Sequence, residues 1–254
     1  MSLPRTPSFR LDGRRAIIAG ASSGIGLAAA AALAEAGAEV TLVARSPDRL
    51  AEVMAEITVA GWVARSLVLD ITDVAATGAA IAAQGPFDIL VNSAGLARHT
   101  PAVATTEADY DSVTDLNVRA AFFLTRAVAK GLIAGGRPGS LINVSSQMGR
   151  VGGPDRAVYC ASKHAVEGFT KAMAIEWGAH RIRVNCVAPT FVNTPLARQT
   201  LDDPDRRAWV MSKIKLGRLA EVEDLMGAIV LLASDAGAMI TGTSLLIDGG
   251  WTAG

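Results

Sequence analysis

Short apolar runs recur along this chain, and each ends near a small or polar residue. A run without regular polar alternation is typical of a strand buried on both faces, which requires a parallel sheet covered by helices. The predicted strands cover residues 15–19, 39–44, 64–69, 89–91, 139–144, 183–187 and 244–247. Helical patterns lie between them at residues 27–36, 110–132 and 158–177, and from Pro47 onward, where Ser46 can cap the helix.

The repeated order of strand, helix and strand predicts an α/β fold. Its form is a doubly wound, Rossmann-type parallel sheet with helices on both faces. No internal repeat, low-complexity tract or linker divides the 254 residues, and single α/β domains often reach this length. We therefore predict one domain that covers residues 1–254.

The composition argues against several classes of protein. Lys and Arg (24) balance Asp and Glu (24), so no charge pattern indicates binding to nucleic acid or to an anionic membrane. No apolar stretch approaches the roughly 20 residues that span a bilayer, and the N-terminus lacks the apolar core of a signal peptide. Cys160 and Cys186 show no disulfide pattern, and His99, His164 and His180 are too scattered for a metal site. We expect a cytoplasmic protein that acts on a small molecule and holds no metal.

A glycine-rich turn follows the first predicted strand and opens a helix. Residues 20–26 read GASSGIG, and such glycines let the backbone approach a pyrophosphate while helix amides face its charge. The spacing departs from the commoner G-x-G-x-x-G pattern, so an ordinary strand-to-helix turn remains an alternative. The predicted dinucleotide contacts here are Gly20, Ser22, Ser23, Gly24, Ile25 and Gly26.

Further polar and small residues stand where other predicted strands end. Open α/β sheets bind ligands along this edge, so the turn at residues 92–95 would pass under the cofactor. Asp70, with Ile71 beside it, could accept a hydrogen bond from an adenine amino group, or it could cap the following turn. The predicted contacts at these strand ends are Asp70, Ile71, Asn92, Ala94 and Gly95.

Arg45 indicates which dinucleotide the site prefers. An acidic residue at the end of this strand would bind the ribose 2′-hydroxyl, whereas an arginine accommodates a 2′-phosphate. Neither Ala44 nor Arg45 is a carboxylate. We therefore predict NADP(H) over NAD(H); the alternative is that Arg45 is only a solvated surface charge.

Four polar residues form a candidate catalytic set. Tyr159 and Lys163 lie four residues apart, on one face of a predicted helix, and Ser146 lies thirteen residues before the tyrosine. Asn117 interrupts a long helical pattern, where its side chain competes with the backbone and indicates a kink. Taken singly, these residues also fit a helical tyrosine beside a solvated lysine, a turn serine and a polar helix residue.

In this order and spacing the residues resemble the short-chain dehydrogenase/reductase family, from about Phe9 to Trp251. The resemblance implies a catalytic tetrad of Asn117, Ser146, Tyr159 and Lys163, and a nicotinamide loop with contacts at Pro189, Val192 and Thr194. It also implies a homotetramer. The chain also resembles the family's sugar and polyol branch, which contains L-xylulose reductase. The resemblance rests on three residue pairs: Ser146-Gln147, Tyr159-Cys160 and Pro189-Thr190. Thr190 departs from the family's usual glycine in this loop.

The chemistry expected of this set is ketone reduction, which requires a hydride from nicotinamide and a proton for the developing alkoxide. Tyr159 would supply the proton, and the Lys163 ammonium should lower the tyrosine pKa from its ordinary value near 10. Ser146 would donate a hydrogen bond to the substrate oxygen. The resemblance implies that Lys163 also binds the nicotinamide ribose and that Asn117 holds a water of the proton relay.

The segment 191–216 is predicted to form a lid that excludes water from the site; the alternative is a plain connecting helix pair. Gln147, Met148 and Phe191 are candidate substrate contacts beside Ser146 and Tyr159, and Gln147 suits a hydroxylated ligand. We expect a small polyol, sugar or sugar acid. The alternatives are a non-catalytic dinucleotide-binding sensor, which the fold permits, and an epimerase or dehydratase that uses the same cofactor site.

Overall fold

The computed structural model describes residues 3–254, and its strands form one parallel seven-stranded sheet. The strands are β1 (Arg15–Ala19), β2 (Glu39–Ala44), β3 (Ala64–Val68), β4 (Ile89–Asn92), β5 (Gly139–Val144), β6 (Ile182–Pro189) and β7 (Ser244–Ile247). Their spatial order is β3-β2-β1-β4-β5-β6-β7. The direction of winding therefore reverses between β1 and β4, which is where doubly wound sheets open a ligand crevice.

Helices cover both faces of the sheet, as the sequence predicted. They are α1 (Gly24–Glu35), α2 (Pro47–Val59), α3 (Val74–Gln84), α4 (Glu107–Thr114), α5 (Ala121–Ala134), α6 (Ala157–Trp177), α7 (Pro195–Leu201), α8 (Pro204–Lys213) and α9 (Glu223–Ala233). One apolar core packs α1, α2 and α9 against the sheet, and a second packs α3, α5 and α6 against its other face. The predicted fold class is confirmed.

The predicted strands are all present, and their burial follows their position in the sheet. The four interior residues of β2 and of β5, and all of β4, are buried. β3 lies at an edge, and its Arg65 and Ser66 are exposed. An edge strand with polar residues is expected, because it discourages pairing with a second sheet. Helices α3 and α9 were not predicted.

The predicted helix over residues 110–132 is not continuous. α4 ends at Thr114, one π-helical turn spans Asp115–Ala120, and α5 begins at Ala121. Asn117 lies inside this turn. The predicted interruption at Asn117 is therefore confirmed, and it takes the form of a π-turn, a feature that often marks a functional site.

The predicted lid segment contains α7 and α8, which is the helix pair that the sequence left open. A third apolar cluster holds this segment to the rest of the protein, with Met148, Val210, Ile214 and Trp251 at its centre. Between residues 3 and 254, none of the helices is both long and apolar enough to cross a membrane.

Candidate active site

A cavity of about 620 Å³ opens at the carboxyl edge of the sheet and brings most of the predicted site residues together. Its walls come from the turns after β1, β2, β4, β5 and β6 and from the start of α6. The predicted residues that line it are Gly20, Ser22, Ser23, Gly24, Ile25, Arg45, Asp70, Ile71, Ala94, Gly95, Ser146, Gln147, Met148, Tyr159, Lys163, Pro189, Phe191, Val192 and Thr194.

Three predicted site residues lie behind the cavity wall instead. A side chain on Gly26 would collide with the Gly20 carbonyl oxygen, so this glycine lets α1 pack on its own turn. Asn92 is buried, and its Nδ2 lies 3.5 Å from Asn143 Oδ1. Both residues therefore have packing roles behind the wall, Gly26 in the first turn of α1 and Asn92 at the end of β4. Their predicted contacts with the cofactor stay predictions.

Asn117 is the third of these residues, and it fixes one wall of the cavity from behind. Its Oδ1 accepts from the Leu96 amide at 2.9 Å, and its Nδ2 donates to the Leu96 carbonyl at 2.8 Å and to Ser162 Oγ at 3.1 Å. A Cβ on Gly95 would lie 3.3 Å from Asn117 Oδ1. The asparagine amide therefore holds the turn after β4 against α6.

The glycine turn presents unpaired amides at the start of α1. Ser23 occupies the N-cap position, but its side chain makes no capping hydrogen bond, and the first turn of α1 has no acidic residue. Gly20 has a φ of 77°, and a Cβ there would lie 2.9 Å from the Ala94 amide nitrogen. The turns after β1 and β4 therefore meet backbone to backbone beside an uncapped helix N-terminus.

Asp70 has the turn-capping contacts that the sequence left as an alternative, and it also lines the cavity. Its Oδ1 accepts from the Thr72 amide at 3.0 Å and from Thr72 Oγ1 at 2.8 Å. These hydrogen bonds lower the pKa of the Asp70 carboxyl, with a smaller contribution from the Arg45 charge. Asp70 and Arg45 thus lie at the same end of the cavity.

Tyr159, Lys163 and Ser146 meet at the other end. Lys163 Nζ donates to the Val144 carbonyl oxygen at 2.8 Å and lies 5.7 Å from the centre of the Tyr159 ring. Ser146 Oγ donates to Gln147 Oε1 at 2.7 Å and accepts from the Met148 amide at 3.1 Å. The carboxyl end of β5 and the first turns of α6 therefore converge on one point.

Burial governs the pKa values of this group. It raises the pKa of Tyr159, while the Ser146 hydroxyl and the Arg156 charge act in the opposite direction. Burial also lowers the pKa of Lys163 to about 8, against opposing effects of Cys186 and Glu167. The expected effect of the Lys163 ammonium on the tyrosine pKa stays a prediction.

Comparison with known proteins agrees with this geometry. A family model described as "Enoyl-(Acyl carrier protein) reductase" matches residues 20–252. D-erythrulose reductase from Gallus gallus is 42% identical over 245 residues, which are 96% of this chain and 98% of that protein. L-xylulose reductase from Bos taurus is 41% identical over 245 residues, 96% of this chain and 99% of its own.

The chain belongs to the short-chain dehydrogenase/reductase family. A solved structure of a gluconate 5-dehydrogenase from Burkholderia cenocepacia J2315, in complex with NADP and tartrate, matches with a TM-score of 0.93. It is 37% identical, and the match covers 97% of this chain and 98% of that one. This short-chain dehydrogenase/reductase is therefore an NAD(P)-dependent oxidoreductase, as the sequence predicted.

The residues present fit the dinucleotide that this family uses. Uncapped amides at the N-terminus of α1 and the hydroxyls of Ser22 and Ser23 form a donor set suited to phosphate oxygens. A Cβ on Gly24 would lie 3.2 Å from the Thr194 methyl group, so the glycine keeps this cleft open. In residues 3–254 no three His, Cys, Asp or Glu side chains cluster as metal ligands.

Sequence reasoning missed a polar cluster on the wall of this short-chain dehydrogenase/reductase cavity, which we call the Arg156 clasp: Arg156, His99 and Thr200. Arg156 Nη1 lies 2.7 Å from His99 Nε2, and Nη2 donates to Thr200 Oγ1 at 2.9 Å. Arginine only donates, so Nε2 accepts and the ring proton sits on Nδ1, 3.4 Å from Thr200 Oγ1. Because Thr200 lies on α7, the clasp ties the lid segment to the start of α6.

An aromatic stack supports the same wall. The Arg156 guanidinium carbon lies 5.0 Å from the centre of the Phe191 ring. Phe191 stacks on Trp251 at 5.8 Å, and Trp209 meets Trp251 edge-on at 5.2 Å. Phe191 lines the cavity, and it packs against a charge that no sequence motif indicated; its predicted contact with the substrate stays a prediction.

We predict that the Arg156 clasp makes the fold sensitive to acid. Burial and then the Arg156 and Arg206 charges lower the pKa of His99 from 6.5 to about 4, with a small opposing effect of Asp155. As the pH falls from 6.5 to about 4, His99 binds a proton in the unfolded chain but not in the folded chain. The free energy of unfolding therefore declines over this range. The free energy of unfolding in urea, measured at several pH values, should fall less in His99→Gln than in the parent protein. His180→Gln, at an exposed position, is the control, and equal slopes in all three proteins would contradict the prediction.

Proposed function

We propose that this short-chain dehydrogenase/reductase transfers hydride between NADP(H) and a secondary alcohol or ketone on a small polyol, sugar or sugar acid. The observation that carries the proposal is the convergence of Tyr159, Ser146 and Lys163 on the cavity that also holds the glycine turn. The relatives support the substrate class, since those described above are named for D-erythrulose, L-xylulose and gluconate.

Tyr159 is the proposed general acid and base. Its pKa is raised by burial, so the phenol stays protonated at neutral pH and has a proton to give to a developing alkoxide. Ser146 is proposed to donate to the same substrate oxygen, where a preorganised hydroxyl stabilises charge that forms in the transition state. Gln147 accepts from Ser146 Oγ at 2.7 Å and is proposed to hold the serine in place until substrate replaces it as the acceptor.

The nicotinamide cofactor supplies or accepts the hydride when it is bound. Lys163 uses one ammonium proton on the Val144 carbonyl and has two more to donate, and we propose that these hold the ribose hydroxyls. Asn117 has its side-chain amide committed to Leu96 and Ser162. We therefore propose that it holds a relay water through its main chain, which the π-turn frees from regular helical bonding.

Replacing the tyrosine tests the proposed chemistry. Tyr159→Phe should lower kcat by roughly 10²- to 10⁴-fold, because the proton donor is lost, while the Kd for NADPH stays within about threefold of the parent. Turnover is followed by reduced-nicotinamide absorbance across ketoses, polyols and aldonates, and the Kd by fluorescence titration. The matched control is Tyr110→Phe, because Tyr110 lies on α4 at an exposed position.

The outcome separates the alternatives. Tight NADPH binding without turnover of any compound would favour the non-catalytic sensor. Product formation without net release of oxidised or reduced cofactor would favour an epimerase or dehydratase. Unchanged turnover in Tyr159→Phe would reject the proposed role of the phenol.

Arg45 is the proposed determinant of NADP(H) over NAD(H). It lines the cavity at the Asp70 end and is exposed, so it is free to meet a 2′-phosphate. The complex of NADP with the Burkholderia cenocepacia protein supports this preference.

Loss of the Arg45 charge should therefore weaken one cofactor selectively. Arg45→Gln should raise the Kd for NADPH by roughly 10- to 100-fold, the value of a hydrogen bond to a charged group, and leave the Kd for NADH nearly unchanged. The control is Arg49→Gln, which removes another exposed charge in the first turn of α2, outside the cavity. It should change neither Kd. An equal loss for both cofactors in Arg45→Gln would reject the assignment.

We further propose that the protein is a homo-oligomer, with a tetramer expected from the family. α6 buries Met173 and Val166 against the sheet, yet Ala161, Ala172 and Ile175 on its other side are exposed, Ile175 at 83%. Phe122 on the neighbouring α5 is also exposed. A helix that is apolar on more than one face is expected to be covered by a partner.

The mass in solution tests this assembly. Light scattering should give a multiple of 26.2 kDa, and Ile175→Glu should shift the particle toward the monomer, because it places a charge in the covered face. Glu176→Gln, at the next exposed position, serves as the control. A monomeric mass for the parent protein would reject the proposal.

A further inference from the structure

Arg156 is a buried charge on the cavity wall that the proposed hydride transfer does not use. It is only 6% exposed, lies three residues before Tyr159, and lines the cavity. Its charge already acts on the Tyr159 phenol. Because Arg156 and Tyr159 line the same cavity, a small substrate bound at Tyr159 would be within reach of this cation.

The partners of Arg156 within residues 3–254 leave its positive charge uncompensated. His99 accepts as a neutral ring, Thr200 offers a hydroxyl, and Phe191 offers the face of its ring. The adjacent carboxylate of Asp155 is bonded to Arg206 at 3.2 Å, and Arg206 also lies 3.6 Å from Asp203. Both nearby carboxylates thus pair with Arg206, and neither forms an ion pair with Arg156 within the described residues.

The guanidinium also has unused hydrogen-bonding capacity. It carries five N–H donors, and its Nε is buried with no partner in the described part of the chain. Burying a cation without an anion is costly, and such groups are normally paired. A fold that keeps this arginine at the wall of a ligand cavity is therefore expected to complete the pair with a ligand.

We propose that Arg156 binds the carboxylate of the substrate, so that this enzyme acts on a sugar acid in preference to the neutral polyol of the same length. The inference rests on the proposed function, and it names the substrate class of that site. A planar guanidinium can match both oxygens of a carboxylate, which gives orientation as well as affinity. Binding there would place the carboxylate at the lid side of the cavity and the reacting carbon toward Tyr159 and Ser146.

The first experiment compares two six-carbon substrates that differ only at C1, which is a carboxylate in D-gluconate and a hydroxymethyl group in D-glucitol, with NADP⁺ as oxidant. In Arg156→Gln, the ratio of kcat/KM for gluconate to that for glucitol should fall by roughly 10- to 100-fold, as expected for loss of a charged hydrogen bond. Arg156→Lys should recover part of this ratio, because the charge remains while the paired geometry is lost.

A control variant separates substrate binding from general effects of charge. Arg206→Gln removes a neighbouring positive charge that does not line the cavity. It should leave the gluconate-to-glucitol ratio within about twofold of the parent. Equal loss for both substrates in Arg156→Gln, or a shift of the ratio in Arg206→Gln as large as in Arg156→Gln, would overturn the proposal.

A binding measurement keeps the test independent of turnover. Tartrate and threitol share a four-carbon chain, but tartrate ends in two carboxylates and threitol in two hydroxymethyl groups. Each is added to NADP⁺-saturated protein, and the Tm is recorded. Tartrate should raise Tm more than threitol in the parent protein and not in Arg156→Gln. Absence of this difference would overturn the inference.

Two further outcomes identify other ligands or functions. If inorganic phosphate raises Tm more than tartrate does, and this effect depends on Arg156, the inference is overturned in favour of a phosphorylated substrate. Arg156-dependent binding of tartrate without turnover of any alcohol or ketone would reject the proposed function and leave the carboxylate site intact.

Discussion

The close parallel packing of β1 against β4 is the constraint on which the rest of the molecule depends. Ala16 to Ala19 pair with Ile89 to Asn92 in register, so the two chains leave the sheet side by side. Gly20 and Ala94 then meet backbone to backbone, at a distance that no side chain on Gly20 would permit. This contact opens the crevice between the two halves of the sheet. The uncapped N-terminus of α1, the π-turn of Asn117 and the start of α6 all face that crevice or support its wall.

Sequence patterns predicted the elements whose residues carry a local signal. Buried parallel strands are short and apolar, so β1, β2, β5 and β7 were found with their observed bounds. The helices that were missed, α3 and α9, have weaker signals: α9 is apolar without a clear face, and α3 is mostly alanine. Asn117 was recognised as an interruption because asparagine competes with the helical backbone. The same reasoning could not show that its side-chain amide would form hydrogen bonds with Leu96 rather than face the cavity.

The part of the site that escaped prediction is formed by residues that share no motif. His99 follows β4, Arg156 precedes α6, and Thr200 lies on α7, so only the folded chain brings them together. An arginine in a sequence is read as solvated, because arginines are mostly exposed. Gly26 and Asn92 match motif positions, yet Gly26 packs against the turn before its helix and the Asn92 side chain lies in the core beside Asn143. Motifs therefore locate the edge of the sheet, whereas packing decides which side chains reach its cavity.

The two buried cations of the cavity have different electrostatic roles. Lys163 donates to the Val144 carbonyl, and the buried carboxylate of Glu167, one helical turn further on, favours its charged form. With a pKa of about 8, its charge depends on surroundings that a ribose or a water would change. Arg156 keeps its charge at any accessible pH, and the partners that residues 3–254 provide for it at the cavity wall are neutral. The Arg156 charge opposes the effect of burial on the Tyr159 phenol, and the same charge would stabilise an alkoxide that develops beside that phenol. It would also attract an anionic ligand, so the proposed binding and the proposed chemistry use one charge.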